Sequence, residues 1–174
     1  MGSFSPRSLD IDVVLDLMIH DLDIICSLVR STVDQIHAVG IAILTDRIDI
    51  ANARLHFKNG CVANITASRV SMERVRKLRL FQKHQYISLD YGRQDITLFS
   101  LQPNPGGGIP QIVNRKYTPE KREPLYAELS SFLEAVRGAE PLQCSGDEGR
   151  HSLALALKIL AQAEKAQALE IDRS

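Results

Sequence analysis

Seven segments between residues 35 and 117 alternate apolar and polar residues with a period of two. This alternation is typical of β-strands that bury one face. Short turn-forming runs separate the segments, and Asn59-Gly60 suits a tight hairpin turn. Because strands joined by tight turns pair antiparallel, the pattern predicts a meander of seven or eight strands, counting the short segment before residue 11. The seven segments are QIHAVGIAIL, DIANARLHF, CVANITAS, RKLRLFQ, QYISLDY, DITLFSL and QIVNRKY.

Helical periodicity flanks this region on both sides. Residues 11–30 and 125–136 each carry an apolar stripe at helical spacing, and residues 147–170 form a long segment rich in alanine and leucine. Ser145 or Asp147 is placed to cap the last helix. Strands in one run, with helices before and after, predict an α+β domain. We expect a large, mostly antiparallel open sheet with helices packed on one face.

The other face of this sheet is expected to be only mildly polar. The segments ANARLHF and CVANITAS alternate apolar residues with alanine, asparagine, threonine and serine. Such a face is either solvated or packed against a second copy of the chain. We favour the second arrangement, which makes the open sheet face a predicted oligomer interface.

Composition excludes several classes of protein. Lysine plus arginine and aspartate plus glutamate each number 21, so no basic excess indicates a nucleic-acid partner. No apolar run is long enough to span a bilayer, and the first residues lack the apolar core of a signal peptide. The 3 cysteines form no CxxC pair and are interpreted as reduced thiols. We therefore predict a cytoplasmic protein with neither a nucleic-acid nor a membrane partner.

The candidate catalytic residues lie in DVVLDLMIHDLDIICSLV, residues 12–29, where an imidazole and carboxylates interrupt an apolar run. Asp16 and His20 are four residues apart, which on an α-helix is one turn and about 40° of rotation. Histidine titrates near neutral pH, and a carboxylate beside it orients the ring and stabilises its charged form. The pair can therefore act as a general base. The same spacing also suits a surface pair that only supports the helix, and both interpretations stay open.

The other polar clusters are weaker candidates for a functional site. A metal site built on His20 and Asp21 is disfavoured, because adjacent residues on a helix point in different directions and no second histidine lies at ligand spacing. The remaining histidines are interpreted as structural or exposed. The basic run that includes Arg74, Arg76 and Lys77 is interpreted as a solvated strand edge.

Three elements in order resemble one known family. VVLDLMIHDLDIICSLV, the meander with LHFKNGCVANITAS, and the closing FLEAVRGAEPLQCSGDEGRHSLALALKILAQA are similar to the C-terminal domain of the Gfo/Idh/MocA oxidoreductases. The resemblance covers nearly the whole chain. Its most specific part is the Asp-x-x-x-His pattern, the active-site signature of the family, which here is Asp16 and His20.

The resemblance implies that two domains share the function of the enzyme. In the family an N-terminal Rossmann domain binds NAD or NADP, and the C-terminal domain supplies the substrate-facing residues and the oligomer contacts. His20 is then the acid/base at the reacting hydroxyl of a sugar, polyol or nucleotide sugar, and Asp16 positions the substrate or His20. The open sheet face would form a homodimer or a tetramer. Residues 1–174 are thus expected to be a substrate-binding and oligomerisation domain.

The chain also departs from the family pattern. It has neither a G-x-G-x-x-G turn nor a Glu-Lys-Pro motif, so the resemblance implies that the Rossmann domain is absent from this chain and that the chain is a truncated piece, inactive by itself. The segments SPRSLDIDVVLDLMIHDLDII and QYISLDY are most similar to those of relatives that oxidise nucleotide-linked amino sugars at the sugar 3-position. Arg7 is then a candidate phosphate or sugar contact.

Two alternatives belong to other classes. The chain could be a non-catalytic assembly or binding module that works through its sheet, with Asp16 and His20 vestigial. It could also be a metal-dependent hydrolase that uses His20 and Asp21, which predicts a stoichiometric metal ion.

Overall fold

The computed structural model describes residues 9–71, 76–104 and 106–171, with side chains up to residue 168. The chain divides into two compact units. Residues 1–72 and 142–174 form the first unit, and residues 73–141 form the second.

The first unit combines a three-stranded sheet with helices from both ends of the chain. Its strands pair antiparallel in the order β1-β2-β3, so that Ala38 on β1 faces Ala53 on β2, which faces Ile65 on β3. The strands are β1 (Val33–Ile41), β2 (Ile50–Phe57) and β3 (Val62–Ser68), and the helices are α1 (Ile19–Val29) and α3 (Gly146–Ile171).

The core of the first unit lies between one face of this sheet and the helices. Period-two burial on β2 and helical spacing on α3 bring the two apolar sets together. Burying such side chains contributes about 1.5–3 kcal/mol each. The buried residues include Leu22, Ile25, Ala53, Leu55, Phe57, Ile65, Leu155, Ala156, Ile159 and Ala163.

The ends of these elements follow local chemistry. The amide of Gly60 donates to the carbonyl of Phe57 in the turn between β2 and β3, which confirms the predicted hairpin. The Ser145 hydroxyl accepts from the amide of Glu148 at 3.2 Å, and the Glu148 carboxylate accepts from the amide of Ser145 at 2.7 Å. This reciprocal capping box confirms Ser145 as the cap of α3.

The second unit is a four-stranded antiparallel sheet, in the order β4-β5-β6-β7, followed by α2. Phe81, Tyr86 and Phe99 stack across three neighbouring strands, with ring centroids 4.8 and 5.3 Å apart. The predicted apolar stripe of α2 is at least half exposed along its length. The elements are β4 (Lys77–Gln82), β5 (Gln85–Asp90), β6 (Asp95–Gln102), β7 (Gln111–Tyr117) and α2 (Pro124–Val136).

The α+β class, the antiparallel pairing and all seven predicted strands are confirmed. The strands differ from expectation in forming two sheets instead of one. The reason is that no ladder joins β3 to β4 in the described ranges, where each strand pairs only with its neighbours in the hairpins. The segment considered as an eighth strand falls largely within residues 1–8, outside the described residues, and so does Arg7.

Candidate active site

The helix that carries Asp16 and His20 begins at a buried aspartate. The carboxylate of Asp12 accepts from the amide of Ile48 at 2.8 Å, and the backbone carbonyl of Asp12 accepts from the amides of Leu15 and Asp16, both at 3.0 Å. Asp12 is only 6% exposed. Its carboxylate therefore holds the start of the helix against the loop between β1 and β2.

The first turn of this helix is wider than an α-helix. Val14–Met18 form a π-turn, in which the amide of Ile19 reaches the carbonyl of Val14, five residues back. We predicted an uninterrupted helix over residues 11–30; the helix is present, but it starts with this π-turn and becomes α1 at Ile19. Single π-turns within helices are frequent at functional sites, and this one contains Asp16 and ends two residues before His20.

The two predicted site residues lie on the accessible side of this helix. Val14, Met18 and Leu22 are fully buried, whereas Asp16 is half-buried and His20 is exposed. In the described part of the chain no hydrogen bond joins the Asp16 carboxylate to the His20 imidazole, so the spacing brings the pair together without fixing their mutual orientation. An accessible imidazole one turn from a carboxylate can exchange a proton with a bound hydroxyl group.

The remaining acidic residue on this face has a structural role. The Asp23 carboxylate accepts from the hydroxyl of Ser152 at 3.0 Å, which ties α1 to α3. Burial, and after it the charge of Asp23, raises the pKa of the Cys26 thiol. Cys26 is therefore a poor nucleophile at neutral pH, and His20 and Asp16 are left as the reactive candidates of the helix.

Sequence reasoning missed a fully buried carboxylate, Asp49. It accepts from the amides of Ile43, Leu44 and Thr45 at 2.8, 2.6 and 2.9 Å, and from the hydroxyl of Thr45 at 3.0 Å. Burial by itself raises the pKa of this carboxyl, but the hydrogen bonds outweigh burial and lower the pKa to about 2. Nε of Arg69 lies 3.7 Å from Oδ1 of Asp49, so the charged carboxylate also has a buried cation beside it.

Neither residue stood out in the sequence. Asp49 falls in the run TDRID, which has the composition of a turn, and Arg69 directly follows a strand. The available signal was an aspartate at the start of a strand whose other inward positions are apolar. Such a residue has to be paired if it is buried.

The open face of the first sheet carries a linked set of polar side chains. Arg54 donates to the imidazole of His56 and to the side-chain oxygen of Asn64, both at 3.3 Å, and the Thr66 hydroxyl donates to Asn52 at 2.7 Å. Val39, Ile41 and Val62 lie on the same face and are 40–55% exposed. The face is thus mixed rather than strongly charged, as the sequence predicted.

Among residues 9–71, 76–104 and 106–171, no three histidine, cysteine, aspartate or glutamate side chains gather as a possible metal site. The hydrolase alternative therefore has no ligand set in these ranges. In the same part of the chain, no helix is long and apolar enough to cross a membrane.

A dinucleotide site does not fit the described residues. All strand pairs there are antiparallel, and no strand–glycine-rich turn–helix unit occurs among them.

Comparison with known proteins shows which protein family the chain resembles. Residues 4–86 match the family model described as the GFO/IDH/MocA C-terminal domain. This match confirms the resemblance recognised from the sequence.

The relatives extend the similarity along the chain. UDP-N-acetylglucosamine 3-dehydrogenase of Acidithiobacillus ferrooxidans is 39% identical over 94% of this chain and 52% of its own length, and its structure superposes with a TM-score of 0.85. Myo-inositol 2-dehydrogenase of Thermotoga maritima is 24% identical over 92% of this chain and 49% of its own length. A structure of levoglucosan dehydrogenase in complex with NADH shares the fold, at 15% identity and a TM-score of 0.75 over 88% of this chain and 48% of that one. The chain spans about half the length of the curated relatives it matches.

Proposed function

We propose that this chain is the substrate-binding and oligomerisation domain of an NAD(P)-dependent oxidoreductase that acts on a nucleotide sugar. The observation that carries the proposal is the exposed His20, one turn after Asp16, whereas Asp12 and Asp23 hold structural contacts. The substrate class is supported by the 39% identical relative, whose name states that it is a UDP-N-acetylglucosamine 3-dehydrogenase. A hydroxyl at the sugar 3-position is accordingly the proposed reacting group.

His20 is proposed to move the proton. An accessible imidazole accepts the hydroxyl proton as the carbinol carbon is oxidised and returns it in the reverse direction. Asp16 holds either the ring or a neighbouring sugar hydroxyl, and thereby fixes the approach of the substrate. Asp23 has a structural contact instead, because its carboxylate accepts from Ser152 and ties α1 to α3.

A nicotinamide cofactor, NAD or NADP, would supply the hydride acceptor. The described residues form no site for it, so the proposal places the cofactor on a Rossmann domain outside this chain. The levoglucosan dehydrogenase structure, which shares the fold, contains NADH. The chain's own contribution is to bind and orient the sugar and to transfer its proton.

The open face of the first sheet is the proposed oligomer interface, in a homodimer or a tetramer. Its exposed Val39, Ile41 and Val62 supply apolar area, and the hydrogen-bonded Arg54 and Asn52 clusters hold the polar side chains in place. A face of this composition becomes buried at low cost because its polar groups are already partly paired.

Two smaller parts of the proposal accompany this one. A phosphate or sugar contact by Arg7 stays a prediction, because residues 1–8 lie outside the described part of the chain. A cytoplasmic location is proposed because nucleotide sugars are cytoplasmic metabolites and the three cysteines are free thiols.

The test uses the complete product of the gene that encodes this chain. NADH or NADPH formation is followed with UDP-N-acetylglucosamine, with other nucleotide sugars, and with free sugars and polyols. His20→Asn is expected to lose most of the rate, by about 10²–10⁴-fold, while His84→Asn, at an exposed turn of the second unit, keeps it. Equal oxidation rates in both variants would contradict the proton-transfer role of His20, whereas no oxidation of any substrate by the wild type would favour the assembly-module alternative.

A further inference from the structure

Beneath the start of the candidate active-site helix lies a buried pair of opposite charges. The side chain of Asp49 is fully buried, that of Arg69 is 9% exposed, and Nε of Arg69 is 3.7 Å from Oδ1 of Asp49. Removing one partner of a largely buried ion pair leaves the other charge uncompensated, which is strongly destabilising.

We infer that Asp49 and Arg69 are positioning residues for Asp16 and His20, acting through the backbone of residues 11 and 12. The inference rests on the proposed function for its catalytic consequence, but its geometry stands on contacts within the first unit. It assigns a role in the reaction to two residues that lie outside the Asp-x-x-x-His signature.

The first connection runs through the guanidinium group. Nη2 of Arg69 donates to the backbone carbonyl of Ile11, while Nε faces the Asp49 carboxylate. A planar guanidinium can serve two such partners in fixed directions, which a lysine ammonium cannot do in the same way. Arg69 thus sets the position of the residue just before the helix.

The second connection runs through the neighbouring residue of each partner. The carboxylate of Asp12 accepts from the amide of Ile48 at 2.8 Å, and the amide of Val13 donates to the carbonyl of Ile48 at 2.9 Å. Ile48 directly precedes Asp49, which is held by three backbone amides of the loop before it. Both connections therefore end just before β2, the central strand of the first sheet.

The last step links this anchor to the site. The backbone carbonyl of Asp12 accepts from the amide of Asp16 at 3.0 Å, and the π-turn that contains Asp16 leads directly into the residue before His20. If residues 11 and 12 shift, Asp16 moves with them because its amide is hydrogen-bonded to Asp12. His20 moves as well, because it follows this turn in the helix. Displacements of about 1 Å in such groups can cost about 10²-fold in rate.

The first experiment reads the position of His20 directly. The ring protons of the five histidines are observed by NMR in this chain, and His20→Asn identifies the His20 signal by its loss. Arg69→Met and the milder Arg69→Lys are compared with Ile65→Ala, a core variant in the middle of β3. Ile65→Ala controls for lost stability in the same unit.

We expect both Arg69 variants to move the His20 signal and its dependence on pH, and Ile65→Ala to leave both as in the wild type. Arg69→Lys keeps a charge near Asp49, so it should stay folded even if Arg69→Met does not. A His20 signal unchanged in folded Arg69→Lys, or moved equally by Ile65→Ala, would overturn the positioning role.

The second experiment measures the consequence in the complete gene product. Arg69→Lys is expected to lower kcat about tenfold to a hundredfold with a smaller change in KM, because substrate contacts remain while the proton-transfer group is misplaced. Unchanged kcat in Arg69→Lys, with His20→Asn inactive, contradicts the inference and leaves the proposed function standing. Full activity of His20→Asn, with a moved His20 signal in Arg69→Lys, contradicts the proposed function and leaves the structural connection standing.

Discussion

The hydroxyl of Ser152 donates to the carboxylate of Asp23 at 3.0 Å and thereby joins α1 to α3 across 129 positions of the sequence. This contact explains one of the carboxylates in an otherwise apolar helix. It also fixes the rotation of α1, and with it the accessible side on which Asp16 and His20 lie.

Removal of this hydroxyl should destabilise the first unit. Ser152→Ala leaves the half-buried Asp23 carboxylate without its donor, and we expect the free energy of unfolding to fall by about 1–2 kcal/mol. Urea denaturation followed by circular dichroism measures the change. Ser27→Ala, which removes an exposed hydroxyl from the same helix, is the control and should stay within about 0.5 kcal/mol of the wild type.

The buried Asp49 carboxylate should make stability depend on pH. Its pKa is lowered to about 2 in the folded chain, below the value near 4 expected in the unfolded chain. Its stabilisation is therefore complete above the unfolded pKa and is lost as pH falls through the folded pKa. Between about pH 5 and pH 2, wild type should lose roughly 2 kcal/mol relative to Asp49→Asn.

Denaturant titrations of both proteins across this pH range provide the test. Other carboxylates titrate in both proteins, so only the difference between the two curves is used. Parallel curves would mean that Asp49 is not held in its charged form by the loop amides.

A methyl group at position 40 should disturb the loop that anchors the helix. A Cβ on Gly40 would lie 2.7 Å from Cγ2 of Ile48 and 3.3 Å from Cβ of Ala163. Because Ile48 is 2% exposed and has little room to move, Gly40→Ala should cost about 1–3 kcal/mol.

The matched control is Gly149→Ala in α3. A Cβ there meets nothing within 4 Å, and alanine is the better helix former, so this variant should be equal to or slightly more stable than the wild type. Thermal unfolding of the two variants measures the contrast. A Gly40→Ala protein as stable as Gly149→Ala would contradict the close packing around Ile48.

A charge placed on the open sheet face should weaken self-association. Val39 is 53% exposed in the middle of this face, so Val39→Asp is compatible with folding. In an oligomer, the carboxylate would be buried beside apolar side chains, and we expect association at least about tenfold weaker, or 1.4 kcal/mol. Sedimentation velocity over a concentration series measures the strength of association. Lys158→Asp, at an exposed position of α3, is the control and should keep the wild-type assembly.

Much of the fold could be predicted because its signals are local. Period-two alternation identified the seven strands, and Ser145, one of the two predicted caps, marked the start of α3. Whether β4 continues the sheet of β3 is a different question, since pairing between distant strands leaves no trace in the alternation of either one.

The site was predictable only in part. The spacing of Asp16 and His20 placed them on one face, but an apolar stripe does not distinguish a π-turn from an α-turn, because one added residue leaves Val14 and Met18 buried. An inward position at the start of a strand was the one signal for Asp49; its pairing was not predictable, because the partners are three loop amides and backbone amides have no sequence signature.

The central claim is that His20 transfers the proton, and chemical rescue tests it most directly. His20→Ala in the complete gene product removes the imidazole and opens space for a small base. Added imidazole should then raise the rate of nucleotide-sugar oxidation in proportion to its concentration, with no such effect on the wild type. A His20→Ala protein that binds substrate and cofactor, but is as fast as wild type without imidazole, would show that proton transfer occurs elsewhere.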